Sequence, residues 1–428
     1  MYPGVVFSPR PGEDAGLGEC RVTLSLFPSE RPQRRPLVDP APRGLAEETR
    51  PPDGQFHIRL TERQRRSWLK LIRTDNVGPN TFIQLLNRFG SAADALDALP
   101  DLARRGGASR IRIPTDAEID AEWEAAQRAG ARFVALGEAD YPAYLRAVDG
   151  PPPILAVAGD AGVFAQPAVG IVGSRNASLA GRKIAAQFAR DLGARGFAIV
   201  SGLARGIDAA AHMASLETGT IGVFAGGLDR IYPPEHADLV ARIVATGGAI
   251  VSELPFGWEP RARDFPRRNR LISGISMGLV VVEAARRSGS LHTARFAGEQ
   301  GRDLFAVPGS PLDPRAEGTN DLIRNGATLV ASAEHVVEAL GPQLGRDPPP
   351  PSAWEPPAGP GDGDGTAGDA PADLRAAILE ALGPTPVAVD EIIRATGARP
   401  GLVQLVLLEL SLAGRLERHA GGKVSLLM

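Results

Sequence analysis

The chain has 428 residues, enough for two or three domains and a sizeable core. A hydrophobic fraction of 43%, a charged fraction of 23% and a formal net charge of −3 exclude a chain that is basic throughout, so any anion-binding surface has to be local. Cys20 is the only cysteine, which excludes an intramolecular disulfide and a cysteine-based zinc site.

In chain order, residues 1–57 are rich in Pro, Gly, Arg and Glu without a sustained apolar period, and a disordered extension is expected there. The start, Met1-Tyr2-Pro3-Gly4, lacks the basic residues and apolar run of a secretory signal. No segment approaches the ~18 apolar residues that cross a bilayer. A cytoplasmic protein with no membrane partner is expected. Residues 58–144 read as a helical domain, with Trp68, Leu71 and Ile72 at helical spacing. Within it Val77-Gly78-Pro79-Asn80, followed by Phe82, Leu85, Leu86 and Phe89-Gly90-Ser91, looks like a helix-hairpin-helix (SAM-like) turn. Such turns present backbone N–H groups to phosphates, although Asn80 stands where a basic residue would strengthen that use.

Residues 145–342 alternate helical stretches with short apolar runs: Val169–Val172, Ala198–Val200, Ile221–Phe224, Ala249–Val251, Leu279–Val282 and Leu304–Val307. Continuous apolar runs are what parallel strands buried on both faces require, so an α/β fold with a doubly wound, mainly parallel sheet is expected. Residues 343–371, with Pro348 to Pro351 and repeated Gly-Asp steps, form a Pro/Gly-rich linker. Residues 372–428 offer helices at Asp373–Leu382, Val389–Thr396 and Pro400–Leu412, then strands near Arg415–Arg418 and Lys423–Leu427, the order of a winged helix. The third helix holds Gln404 and Glu409 but no Lys or Arg, so a protein-contact or regulatory module is expected rather than a reader of bases.

Ligands of open α/β sheets sit beyond the carboxyl ends of the strands. The apolar runs are followed in turn by Gly173-Ser174-Arg175-Asn176 and Ser178, by Ser201-Gly202-Leu203-Ala204, by Gly226-Gly227, by Ser252-Glu253, by Ser288-Gly289-Ser290 and by Pro308-Gly309-Ser310. Each such turn can be ordinary turn chemistry, but so many on one edge make a binding edge, and Gly and Ser at helix starts suit phosphate. The first turn has no G-x-G-x-x-G triplet, and Gly181 is followed by Arg182-Lys183 rather than Lys-Ser/Thr, which disfavours dinucleotides and ATP. No cofactor is expected.

Residues 261–270 carry five arginines against Asp264 alone, with Phe265 interleaved. Arginines fork onto phosphates, and an aromatic side chain can stack on an unpaired base. The plainer alternative is a solvated charge run with Phe265 in the core. Arg175, Lys183, Arg205, Arg286, Arg287 and Arg295 can add to the cluster.

Gly173-Ser174-Arg175, the stretch 201–208 with His212, Gly227-Leu228-Asp229 with Tyr232-Pro233, Ser252-Glu253, Phe265-Pro266 with Arg268-Asn269-Arg270, Val282-Glu283-Ala284, Ser288 to Ala294 and Pro308-Gly309 together resemble the DNA-processing protein A (DprA/Smf) family. The match runs over about residues 145–330, in order and without a gap. The resemblance implies an extended Rossmann-like fold that binds single-stranded DNA, dimerises, protects incoming strands and loads the RecA recombinase during natural transformation, without catalysis. It implies that Gly173, Ser174 and Arg175 hold backbone phosphate and that Phe265 meets a base. Arg268, Asn269 and Arg270 would line the pocket, with Thr293 and Ser288, Gly289 and Ser290 completing it. Ser178, Lys183 and Arg263 join the expected DNA-binding set.

The alternative is an enzyme like the lysine-decarboxylase-like phosphoribohydrolases, but Pro308-Gly309-Ser310 does not continue into their motif. A purely structural adaptor leaves the arginine cluster unexplained. His212, His236 and His292 have no partner at metal-ligand spacing, so no metal is expected. Asp208, Asp229, Glu253 and Glu283 read as acceptors for neighbouring Ser, Gly or Arg groups.

Overall fold

The computed structural model describes residues 58–346, 370–419 and 421–427. The expected extension at 1–57, with Cys20, and linker residues 347–369 lie outside the described residues.

Four helices open the described chain: α1 (Glu62–Ile72), α2 (Pro79–Phe89), α3 (Ala92–Arg105) and α4 (Asp116–Arg128). Thr61 with Gln64, and Thr115 with Glu118, form capping boxes that satisfy the first N–H groups of α1 and α4. Gly78 and Pro79 set the start of α2, and left-handed Gly90 ends it. The hairpin turn expected at 77–80 is therefore present. The Trp68 and Phe82 rings meet edge-on at 5.0 Å, locking α1 to α2.

The main sheet begins earlier than the apolar pattern indicates. β1 (Ala131–Ala135) lies inside the stretch read as helical; it leads through the short α5 (Ala143–Arg146) to β2 (Ile154–Gly159). Gly130, at φ 65°, ends the α4 segment and turns the chain into β1. Then follow β3 (Ala168–Val172), α6 (Leu179–Gly193), β4 (Ala198–Ser201), α7 (Ile207–Ala214), β5 (Thr220–Val223), α8 (Ala237–Ala245), β6 (Ala249–Ser252), α9 (Asp264–Ile275), β7 (Gly278–Val281), α10 (Ser290–Glu299), β8 (Asp303–Ala306), α11 (Glu317–Arg324), β9 (Thr328–Leu329) and α12 (Ala333–Leu340). All six runs taken from the sequence are strands.

The nine strands lie in the order β1-β2-β6-β5-β4-β3-β7-β8-β9. From β6 to β9 every pair is parallel, while β1 and β2 extend the sheet antiparallel. Strands β3 to β7 are buried throughout, which is why their sequences run apolar without alternation. Strand order reverses once. From β3 the chain winds outward to β6, and α9 then carries it back across to β7 on the other side of β3. The carboxyl ends of β3 and β7 are thus the switch point, where open sheets hold ligands.

The last domain holds α13 (Ala372–Ala381), β10 (Val387–Ala388), α14 (Val389–Thr396), α15 (Pro400–Leu412), β11 (Leu416–His419) and β12 (Lys423–Leu426), with sheet order β10-β12-β11. This is the expected winged helix with one further strand. Its third helix is buried from Leu405 onward. Val403, Leu405 to Leu408, Leu410 and Leu412 are buried, and α15 packs on α3 and α2 of the first helical unit. Asn76 Nδ2 donates to the Leu412 carbonyl at 3.0 Å, and Arg418 Nη2 to Gln84 Oε1 at 3.0 Å. Among the described residues no helix is long and apolar enough to cross a membrane.

Candidate functional site

A crevice of about 840 Å3 opens at the switch point, a volume within the range of ligand sites. Three segments build it. The turn after β3 supplies Gly173, Ser174, Arg175 and Asn176, the turn after β7 supplies Ser288, Gly289 and Ser290 with His292 and Thr293 behind them, and α9 supplies Phe265, Arg268 and Asn269.

The first turn is held from beneath by the start of α7. Gly206, at φ 79°, sits so close that a Cβ there would lie 2.3 Å from the Ser174 carbonyl oxygen, so a side chain at 206 would push the turn out of place. Asn176 N–H donates to Ser174 Oγ at 3.2 Å, which fixes the turn's own shape. Arg175 stands exposed on top, its guanidinium 5.0 Å from the centre of the Phe265 ring. Among the described residues it meets no carboxylate. A cation left without a counter-ion at a ligand crevice is available to an anion.

Arg268 differs. It is buried, and its Nη1 donates to the carbonyls of Gly202 and, at 2.6 Å, Val223, at the ends of β4 and β5. Nε donates to Asn269 Oδ1 at 3.1 Å, and Asn269 Nδ2 reaches the Gly289 carbonyl at 3.3 Å. Burial lowers the Arg268 pKa to about 10, opposed by nearby Asp208, so the group stays charged at neutral pH. Arg268 and Asn269 therefore brace three strand-end turns beneath Phe265.

Four residues of the expected set lie outside the crevice lining. Ser178 caps α6, accepting from Gly181 N–H at 2.8 Å and donating its hydroxyl to Glu283. Lys183 is exposed one turn into α6, and Arg263 is exposed where α9 begins. Arg270 faces the other way: it donates to the Gly150 carbonyl at 2.9 Å and pairs with Glu253, which Arg267 also holds at 2.8 Å. The 261–270 run is thus no single basic patch. Wound on a helix, positions 267 and 270 share one face while 265, 268 and 269 take another.

Tyr232 at the crevice mouth was not singled out by sequence reasoning. Its ring meets Phe265 edge-on at 5.4 Å. It lies in a loop without periodicity, and only the Gly227–Pro233 motif marks it. The acids at the strand ends are engaged as expected. Asp208, its carboxyl raised by burial, accepts from Gly202 N–H at 3.1 Å and Ala204 N–H at 3.3 Å. Asp229 accepts from Gly257 N–H at 2.7 Å. His212 is buried with Nδ1 2.7 Å from Thr220 Oγ1, and burial lowers its pKa to about 3, so it is neutral. His236 Nδ1 lies 2.8 Å from the Leu203 carbonyl.

Comparison with known proteins agrees with this architecture. Residues 132–341 match the model of the DNA recombination-mediator protein A family, residues 62–125 a DprA-like N-terminal HHH domain, and residues 362–422 a DprA winged helix domain. Protein Smf of Escherichia coli (strain K12) is 41% identical over 292 residues, covering 67% of this chain and 75% of that protein. The chain belongs to the DNA recombination-mediator protein A (DprA/Smf) family. DNA processing protein DprA of Bacillus subtilis (strain 168) is 42% identical over 214 residues, 49% of this chain and 72% of that protein. The X-ray structure of DNA processing protein A from Streptococcus pneumoniae superposes with a TM-score of 0.55 at 32% identity, covering 66% of this chain and 98% of that one. DprA/Smf membership places the chain in DNA processing and recombination.

Proposed function

We propose that this DprA/Smf protein binds single-stranded DNA in the β3/β7 crevice, protects it and passes it to the RecA recombinase. It acts as a cytoplasmic homodimer and performs no chemistry on the strand. The observation that carries the reading is the uncompensated Arg175 guanidinium stacked on Phe265 at the switch point. A phosphate suits the cation, and an unpaired base suits the aromatic face. In this division of labour 145–342 holds the strand, 58–144 and 372–428 flank it, and β1 serves the sheet. The phosphoribohydrolase alternative is disfavoured because Asp208, the one acid among the described residues that line the crevice, has its carboxylate on backbone N–H groups.

Fluorescence anisotropy of a labelled oligo-dT with the full chain tests the reading. Binding is expected to weaken steeply with salt, and Arg175→Ala to weaken it further while lowering the log–log salt slope by about one unit. Salt-insensitive binding, or none, counts against it. Acceleration of RecA filament assembly on the same strand checks the hand-over, and a one-chain mass by light scattering removes the dimer.

A further inference from the structure

Phe265 lines two adjoining cavities that share part of their wall. Beside the crevice lies a smaller one of about 360 Å3. Arg175, Asn176, Ala204, Tyr232, Phe265 and Arg268 line both. The smaller cavity adds Gly202 and Arg205 after β4 and Pro233 after β5, and among the described residues no carboxylate lines it. Together the cavities follow consecutive strand ends along the sheet edge: β7, β3, β4, β5. A polymer laid across the strands would meet them in that order.

Three features fix the chemistry. Tyr232 is 51% exposed although it packs on Phe265, so the partition presents aromatic surface to solvent. Arg175 sits in the shared wall without a carboxylate partner among the described residues. Among the described residues Arg205 pairs with Glu235 alone, in a surface pair of the kind that contributes little. Ligand cavities run from roughly 300 Å3 upward, so the smaller space suits a single nucleotide and no longer stretch.

We propose that the smaller cavity is a second nucleotide subsite. Two adjacent nucleotides of one strand straddle the Phe265–Tyr232 partition, one base in each cavity, and their linking phosphodiester lies on Arg175. Tyr232 supplies the stacking surface and Arg205 the positive field on the far side. This rests on the single-strand reading above and adds the strand's path.

The test titrates the full chain with labelled oligo-dT, comparing wild type with Tyr232→Ala, Tyr232→Phe and Arg205→Glu. Both positions are exposed, so the fold is not at stake. Tyr232→Ala is expected to bind about five-fold or more weakly, the low end of what one base–aromatic stack contributes, with the wild-type salt slope kept. Arg205→Glu weakens binding too, and Tyr232→Phe retains it. If wild type binds and Arg175→Ala weakens it, but Tyr232→Ala and Arg205→Glu bind as wild type does, the second subsite is overturned alone. If wild type fails to bind, the single-strand reading falls and the subsite with it.

Discussion

Two arginines on the Phe265 ring divide the work between them. Arg175, 5.0 Å from the ring centre, is exposed and is the group offered to a ligand. Arg268, 5.9 Å from it, is buried and faces the carbonyls of Gly202 and Val223. Arg268→Met would remove the donors those carbonyls use and leave Asp208 buried without its cation. Breaking such a buried arrangement costs about 3–5 kcal/mol, so the loss is expected in chemical denaturation and not in binding alone. A variant as stable as wild type would contradict the bracing role. In the sequence Arg175 stood in the turn after the first apolar run and Arg268 in the arginine run around Phe265, and both were expected to line one pocket. Burial separates them, and burial depends on α9 crossing the sheet, which no local pattern records.

At the scale of elements, the packing of α15 decides what the winged helix can present. Gly106, at the end of α3, touches the backbone of α15 so closely that a Cβ would lie 2.0 Å from the Glu409 carbonyl oxygen. Arg415 donates to the Gly106 carbonyl at 3.3 Å beside this contact. Gly106→Leu is therefore expected to undock the domain, read as faster amide hydrogen exchange along α15 and α3. Unchanged exchange would mean the contact does not hold the domain. The parallel strands were legible because burial on both faces leaves an unbroken apolar run. β1 was not: Ala131–Ala135 is short, carries Arg132 on an exposed position and follows a helix directly. The absence of basic residues from α15 agrees with a helix that is packed rather than laid on bases. Which protein it contacts, this chain's own α2 and α3, was beyond reach, since Asn76 and Leu412 lie 336 positions apart.

For the whole molecule, the fold brings Arg175, which meets no carboxylate among the described residues, together with the Phe265 and Tyr232 rings at one sheet edge. Several cations elsewhere are tied down: Arg73 by Glu122 and the Glu253 carbonyl, Arg267 and Arg270 by Glu253, and Arg375 by buried Glu409. That distribution reconciles a net charge of −3 with an anion site, which composition alone obscured. The site's location was legible from the Gly- and Ser-rich strand ends, because turn chemistry is local. Its inner arrangement was not, because positions 175, 232 and 265 meet only through the sheet order. The most direct measurement is photo-cross-linking of an iodouracil-substituted oligo-dT to the full chain, with the modified residue mapped by mass spectrometry. Cross-links are expected at Phe265 or Tyr232 and lost on addition of unlabelled oligo-dT. Cross-links confined to the helical unit 58–144 or to the winged helix, with none at Phe265 or Tyr232, would contradict the placement of the strand in this crevice.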